Sequence, residues 1–180
     1  MRSVCVWLLA MVAGVPLLCA PVEAGPPVQL QTSNSPRRSS WEGLAIVVNQ
    51  KNPVANVRMG QLRDIMMAQR QWWSNHRRIR LVAMPRGSVE RQTVLRAVYQ
   101  MTDHQVDTYF LAGVFRGDID TSPSTLRGPA DVRRFVSATP GALGYIRASD
   151  VDNTVKVVRI DGLLPGDDGY PLRLRQRTAQ

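Results

Sequence analysis

From Leu44 onward, strand-like and helix-like patterns alternate along the chain, which confines it to an α/β or α+β fold with a mixed sheet. The first strand is the apolar run Leu44-Ala45-Ile46-Val47-Val48, rich in β-branched residues and ended by the turn at Asn52-Pro53. Leu62, Ile65 and Met66 recur at helical spacing and predict a helix over Met59 to Gln69 with those three side chains inward. Trp72-Trp73 falls in the next loop, one tryptophan expected in the core and the other as a lid over it. Ile79 to Met84 reads as a second strand. Ser88 then caps a helix running to Gln100, with Glu90 in its first turn, where the helix dipole favours an anion.

Asp103 reads as the cap of a third helix, in which Val106, Phe110 and Val114 recur every four residues. A polar loop from Gly117 to Gly128 leads to a fourth helix, Asp131 to Ala138. Thr139-Pro140-Gly141 stops it, because proline cannot continue the hydrogen-bond ladder and Gly141 permits a tight entry to the next strand. Ala142 to Ile146 and Thr154 to Ile160 complete the strands. The 180 residues suffice for one ordinary domain, and 44% hydrophobic with 21% charged residues is the balance of a folded chain.

The ends of the chain read differently. Arg2 precedes the apolar stretch Val4 to Leu18, and Val22-Glu23-Ala24 places small residues where signal peptidase needs them. Residues 1–24 are therefore read as a signal peptide cleaved after Ala24, which places the protein in the periplasm. Leu18 stands where lipid attachment at Cys19 would want a small residue, so soluble export is favoured over an anchored form. Residues 25–43, rich in Pro, Ser, Gln and Arg, read as a disordered leader, 44–172 as the folded lobe, and 173–180 as a basic C-terminal tail, in which the alternating Arg173, Arg175 and Arg177 leave an edge strand open beside a frayed end that touches anionic lipid headgroups.

Several functions are excluded by composition. Both cysteines, Cys5 and Cys19, lie in the signal segment, so the mature chain is expected to have no disulfide, thiol nucleophile or thiolate metal site. The two histidines, His76 and His104, have no second ligand at metal spacing, and no nucleophile elbow, Walker loop or zinc-protease motif is present. Asp118-Ile119-Asp120 and Asp150-Val151-Asp152-Asn153 open like calcium loops but lack the central Gly and closing Glu. The chain is thus read as a non-enzyme without metal or cofactor. Its net charge of +9 comes almost wholly from arginine, and an export signal with 6% aromatic residues argues against nucleic acid as a partner.

The order of segments carries a resemblance. Val48-Asn49 with Asn52-Pro53-Val54 is followed by Gln61-Leu62-Arg63-Asp64-Ile65, a Trp-bearing loop, and a helix opening at Gly87-Ser88. Later come Ala138-Thr139-Pro140-Gly141-Ala142-Leu143-Gly144-Tyr145-Ile146, Asp161-Gly162 and Gly169-Tyr170-Pro171-Leu172. This resembles the phosphate-type periplasmic solute-binding proteins of ABC transporters, from about Leu44 to Leu172, as a short, single-lobe relative. The resemblance implies an α/β lobe of periplasmic-binding-protein type, its mixed sheet flanked by helices, and an anion held by backbone N–H groups at a helix N-terminus.

The family's loop has an Arg and then Ser-Gly-Thr. Here Ser88 matches the Ser and Gly87 precedes it, while Met84, Val89 and Glu90 stand at the Arg, Gly and Thr. The tentative ligand-binding set is Gly87, Ser88, Arg91 and Arg86, with phosphate or a related oxyanion bound weakly and Glu90 competing for the same N–H groups as an internal anion. The alternative is a non-transport envelope interaction module that has lost the ligand loop. A lone lobe would also expose a face suited to self-association or a protein partner.

Overall fold

The computed structural model describes residues 41–175, so the expected signal peptide, most of the expected leader and residues 176–180 lie outside the described part. Seven strands form one sheet. They are β1 (Trp41–Asn49), β2 (Asn56–Val57), β3 (Arg80–Ala83), β4 (Ser124–Thr125), β5 (Ala142–Arg147), β6 (Val155–Ile160) and β7 (Arg173–Arg175). The helices are α1 (Met59–Met66), α2 (Val89–Val94), α3 (Asp103–Arg116) and α4 (Pro129–Ala138). The order across the sheet is β2-β6-β1-β5-β3-β4, with β7 pairing the start of β1. The sheet is mixed. β1 runs antiparallel to β5, β6 and β7, whereas β3 is parallel to β5 and β4, and β2 is parallel to β6.

The apolar run in β1 is explained by its central place. Leu44 to Val48 are fully buried, and α4 packs on β5 and β1. A strand covered on both faces has no solvent side on which to alternate polar residues. On β5, Gly144 lets α4 approach closely: a Cβ there would lie 2.8 Å from Val132 Cγ1 and 2.7 Å from Val82 Cγ2.

Several boundaries differ from the sequence reading. Residues 41–43, assigned to the leader, belong to β1, and Arg173–Arg175, assigned to the tail, form β7 against them, with Trp41 opposite Arg175 and Gly43 opposite Arg173. The join is well tied. The Tyr170 hydroxyl donates to the Leu44 carbonyl at 2.7 Å, Leu44 N–H donates to Leu172 O at 2.8 Å, and the Arg173 guanidinium lies 3.9 Å from the Trp41 ring centre.

α1 ends at Met66 rather than Gln69, because the chain turns through a left-handed Ala68 (φ 54°) and Gln69 N–H closes onto Asp64 O. The helix from Ser88 passes from α2 into a π-turn, Leu95–Tyr99, and ends at a left-handed Gln100. The third helix is capped by Thr102, not Asp103. Its Oγ1 accepts from Gln105 N–H at 3.3 Å, while the Gln105 side chain accepts from Thr102 N–H at 2.9 Å. Of its expected inward residues, Val106 and Phe110 are buried and Val114 is exposed. The polar loop contains the short β4, and β2 had no clear sequence signal.

Candidate functional site

β3 delivers the chain to the turn Pro85-Arg86-Gly87-Ser88, and α2 starts at once. Gly87 has φ 79° with open space around its Cα, a left-handed position that suits glycine. Ser88 Oγ caps α2 by accepting from Arg91 N–H at 3.2 Å. The amides that open α2 precede the first intrahelical acceptor. Gly87 and Ser88 are thus adjacent at the end of β3, beside the end of the parallel strand β5.

The two arginines reach this place from opposite sides. Arg86, with its side chain 69% exposed, donates to Asp107 Oδ2 of α3. Arg91 is buried, its side chain 9% exposed; Nε donates to Asp103 Oδ1 at 2.5 Å and Nη1 to the Met84 carbonyl at 3.4 Å. Its Nη2 lies 3.7 Å from Asp107 Oδ1. Asp107 therefore stands between the two guanidiniums, and Asp103 holds Arg91 from its other side. The sequence marks Asp103 only as a helix cap and does not mark Asp107, although the two are four apart and so share one face of α3.

Glu90 does not act as the internal anion anticipated for it. Its side chain is buried and accepts from Arg147 Nε of β5 at 2.5 Å. Arg147 Nη1 also donates to Glu42 Oε2 at 3.2 Å, and Glu42 Oε1 accepts from the backbone N–H and hydroxyl of Ser149. Glu90 is drawn away from the loop because a cation on the neighbouring strand lies within reach. The carboxylate that meets both Arg86 and Arg91 is Asp107.

Burial works against the Glu42 carboxylate, but the Ser149 hydrogen bonds and the Arg147 charge outweigh it and hold its pKa below the ordinary 4.5. The sign follows from linkage. A carboxylate depressed in the folded state contributes stability above its unfolded value, and that contribution disappears as pH falls through the folded value. Urea midpoints measured from pH 7 down to pH 3 should therefore fall on the acid side, and Glu42→Gln should flatten that fall. An unaltered acid limb in Glu42→Gln would show that this network does not govern it.

The tryptophans divide as anticipated. Trp73 is 3% exposed and donates from Nε1 to Gly141 O at 3.0 Å, whereas Trp72 is 51% exposed beneath the Arg78 guanidinium, 5.0 Å from its ring centre. Asp118 pairs with Arg116, Asp120 with Arg78 and Asp152 with Arg133. Among the described residues no three His, Cys, Asp or Glu side chains gather to hold a metal.

No protein-family model matches the chain, and no curated protein matches it in sequence. Solved structures do match. An ABC-type phosphate transport receptor from Vibrio cholerae aligns over 77% of this chain and 59% of its own, with a TM-score of 0.60 and 22% identity. A Clostridium perfringens protein with bound phosphate, assigned as a phosphate ABC transporter substrate-binding protein, aligns over 74% of this chain and 53% of its own (TM-score 0.62, 20% identity). PstS from Borrelia burgdorferi aligns at a TM-score of 0.57 with 11% identity. These neighbours are transport receptors, and this chain spans little more than half their length. The mixed sheet and its flanking helices thus have the periplasmic-binding-protein-like fold of the phosphate receptors.

Proposed function

We propose that this chain is an exported, non-enzymatic solute-binding-like protein that binds phosphate or a related oxyanion weakly at Arg86, Gly87, Ser88 and Arg91. The observation that carries this reading is the gathering of Arg86 and Arg91 around Asp107, beside the turn that opens α2. In α/β sheets, ligands bind beyond the carboxyl ends of parallel strands, and β3 ends at this turn. An oxyanion arriving there meets two guanidiniums and the opening amides of α2, but also the Asp107 carboxylate that already serves the arginines.

Calorimetric titration of the chain with phosphate and sulfate should give a Kd in the high micromolar to millimolar range, about −4 to −6 kcal/mol. Asp107→Asn removes the internal competitor and should tighten phosphate roughly tenfold, about 1.4 kcal/mol. Tight binding in the wild type, or a measurable affinity that Asp107→Asn leaves unchanged, would sink this reading. The periplasmic assignment is checked by sequencing the N-terminus of the exported chain, which should begin at Gly25.

A second reading, an envelope interaction module without a ligand, is favoured by one feature. Leu111 and Phe115 on α3 are 60% and 85% exposed. One helical turn apart, they form an apolar step that self-association or a protein partner would cover. Sedimentation of the chain over a wide concentration range separates the two: a strict monomer removes the case for self-association.

A further inference from the structure

Behind Arg91 lies a cavity of about 290 Å³ between β3, the π-turn, α3 and the 122–125 segment. Leu95, Val106, Phe110 and Leu111 supply apolar wall, and Tyr99 and Tyr145 supply aromatic wall. The tyrosines are pinned and cannot swing in to fill the space. Tyr99 donates to the Met66 carbonyl at 3.2 Å and meets Phe110 edge to face at 6.4 Å between ring centres. Tyr145 accepts from Met84 N–H at 3.2 Å, and burial pushes its phenol up to about 12, so it stays neutral.

The charged groups of the cavity wall are Arg91 and Asp107, and Ser122 and Thr125 add hydroxyl-bearing residues to the lining. The 3.7 Å between Arg91 Nη2 and Asp107 Oδ1 is too long for a hydrogen bond. One polar group can bridge them only if it accepts from the guanidinium and donates to the carboxylate. A bare anion would accept from Arg91 but face Asp107, and a bare cation would meet the reverse. With Arg86 and Asp103 alongside, the four charges cancel. A closed apolar cavity of roughly 150 Å³ holds a benzene ring, so this one has room for a ring and a polar head.

We infer that this cavity is a binding site for a small, uncharged amphipathic molecule: an aromatic body against Leu95, Val106 and Phe110, and a head that both donates and accepts at Asp107 and Arg91. This goes beyond the oxyanion reading: the two sites share Arg91 and Asp107, but Gly87, Ser88 and Arg86 do not line the cavity, and the apolar wall plays no part in the oxyanion site. Benzamide, benzoate and benzamidinium share one shape and differ in the charge of the head, so they test the site directly.

In calorimetric and ligand-observed NMR titrations of the chain, benzamide should bind, and both charged analogues should bind at least about tenfold more weakly, because benzoate brings a like charge against Asp107 and benzamidinium against the buried Arg91. Leu111→Trp, at a largely exposed wall position that accepts a larger side chain, should abolish benzamide binding with an unchanged circular dichroism spectrum. Ser88→Ala should leave benzamide binding unchanged whatever it does to phosphate, so failure of one reading is distinguishable from failure of the other. Absence of benzamide binding, benzoate or benzamidinium binding as well as benzamide, or benzamide binding that survives Leu111→Trp would each overturn the inference.

Discussion

Replacing Gly141, which directly precedes β5, with alanine should cost the fold about 3–5 kcal/mol, more than the same change at Gly144 within β5. An alanine Cβ at this position would lie 2.0 Å from the backbone carbonyl oxygen of Arg78. Backbone cannot rotate away as a side chain can, so relief requires moving the chain. Gly141 O also accepts from Trp73 Nε1 and from Arg80 N–H, each at 3.0 Å. The second of these bonds starts the parallel register of β3 on β5, in which Arg80 faces Ala142. Overpacking of this kind costs about 1–3 kcal/mol, and two compromised hydrogen bonds add about 1 kcal/mol each.

Gly144→Ala is the matched control. Its Cβ would meet side-chain methyls of Val82, Val132 and Val136, at 2.7, 2.8 and 3.4 Å, which can shift at a cost of about 1–2 kcal/mol. Urea unfolding followed by Trp73 fluorescence measures both. If Gly141→Ala proves no worse than Gly144→Ala, the carbonyl contact is not what requires glycine.

The second large effect is expected from Arg91→Ala, in stability as well as in the proposed anion binding. The sequence marks Arg91 as an anion ligand, but its side chain is only 9% exposed and is committed to Asp103 and the Met84 carbonyl. Removing one member of a buried pair typically costs about 3–5 kcal/mol because its partner keeps an uncompensated charge. Asp103 is 25% exposed and can partly rehydrate, so a loss of about 2–3 kcal/mol is expected, or roughly 5–10 °C in Tm. Arg86→Ala, which breaks a largely exposed pair with the same α3 carboxylate pattern, should cost under about 1 kcal/mol. Equal losses in the two variants would show that Arg91 is not the structural centre of this cluster.

Much of the fold was legible because local rules and burial agree there. Leu62, Ile65 and Met66 share a helix face by spacing alone, and all three are buried. Ser88 announced its helix, and its hydroxyl does cap α2. The sequence leaves the tail open between an edge strand and a frayed end, for a reason that is also physical. Leu172 and Leu174 alternate with Arg173, a strand pattern, but three residues cannot hold a strand without a partner, and that partner lies at Trp41–Gly43, at the other end of the domain. Gly141 was read as a turn glycine. The decisive contact comes from Arg78, which no local rule connects to it.

The amino-acid sequence by itself determined the alternation of helices and strands, the buried run of β1, the Ser88 cap and the turn at Gly87, because each depends on neighbours a few residues away. Tertiary structure alone decided which charges meet. Arg86, Arg91, Asp103 and Asp107 become one neutral cluster, and Glu90 is claimed by Arg147 rather than by the loop. Coulomb energies depend on separation in space and on exclusion of water, and tertiary packing, such as that of α2 against β5, sets both.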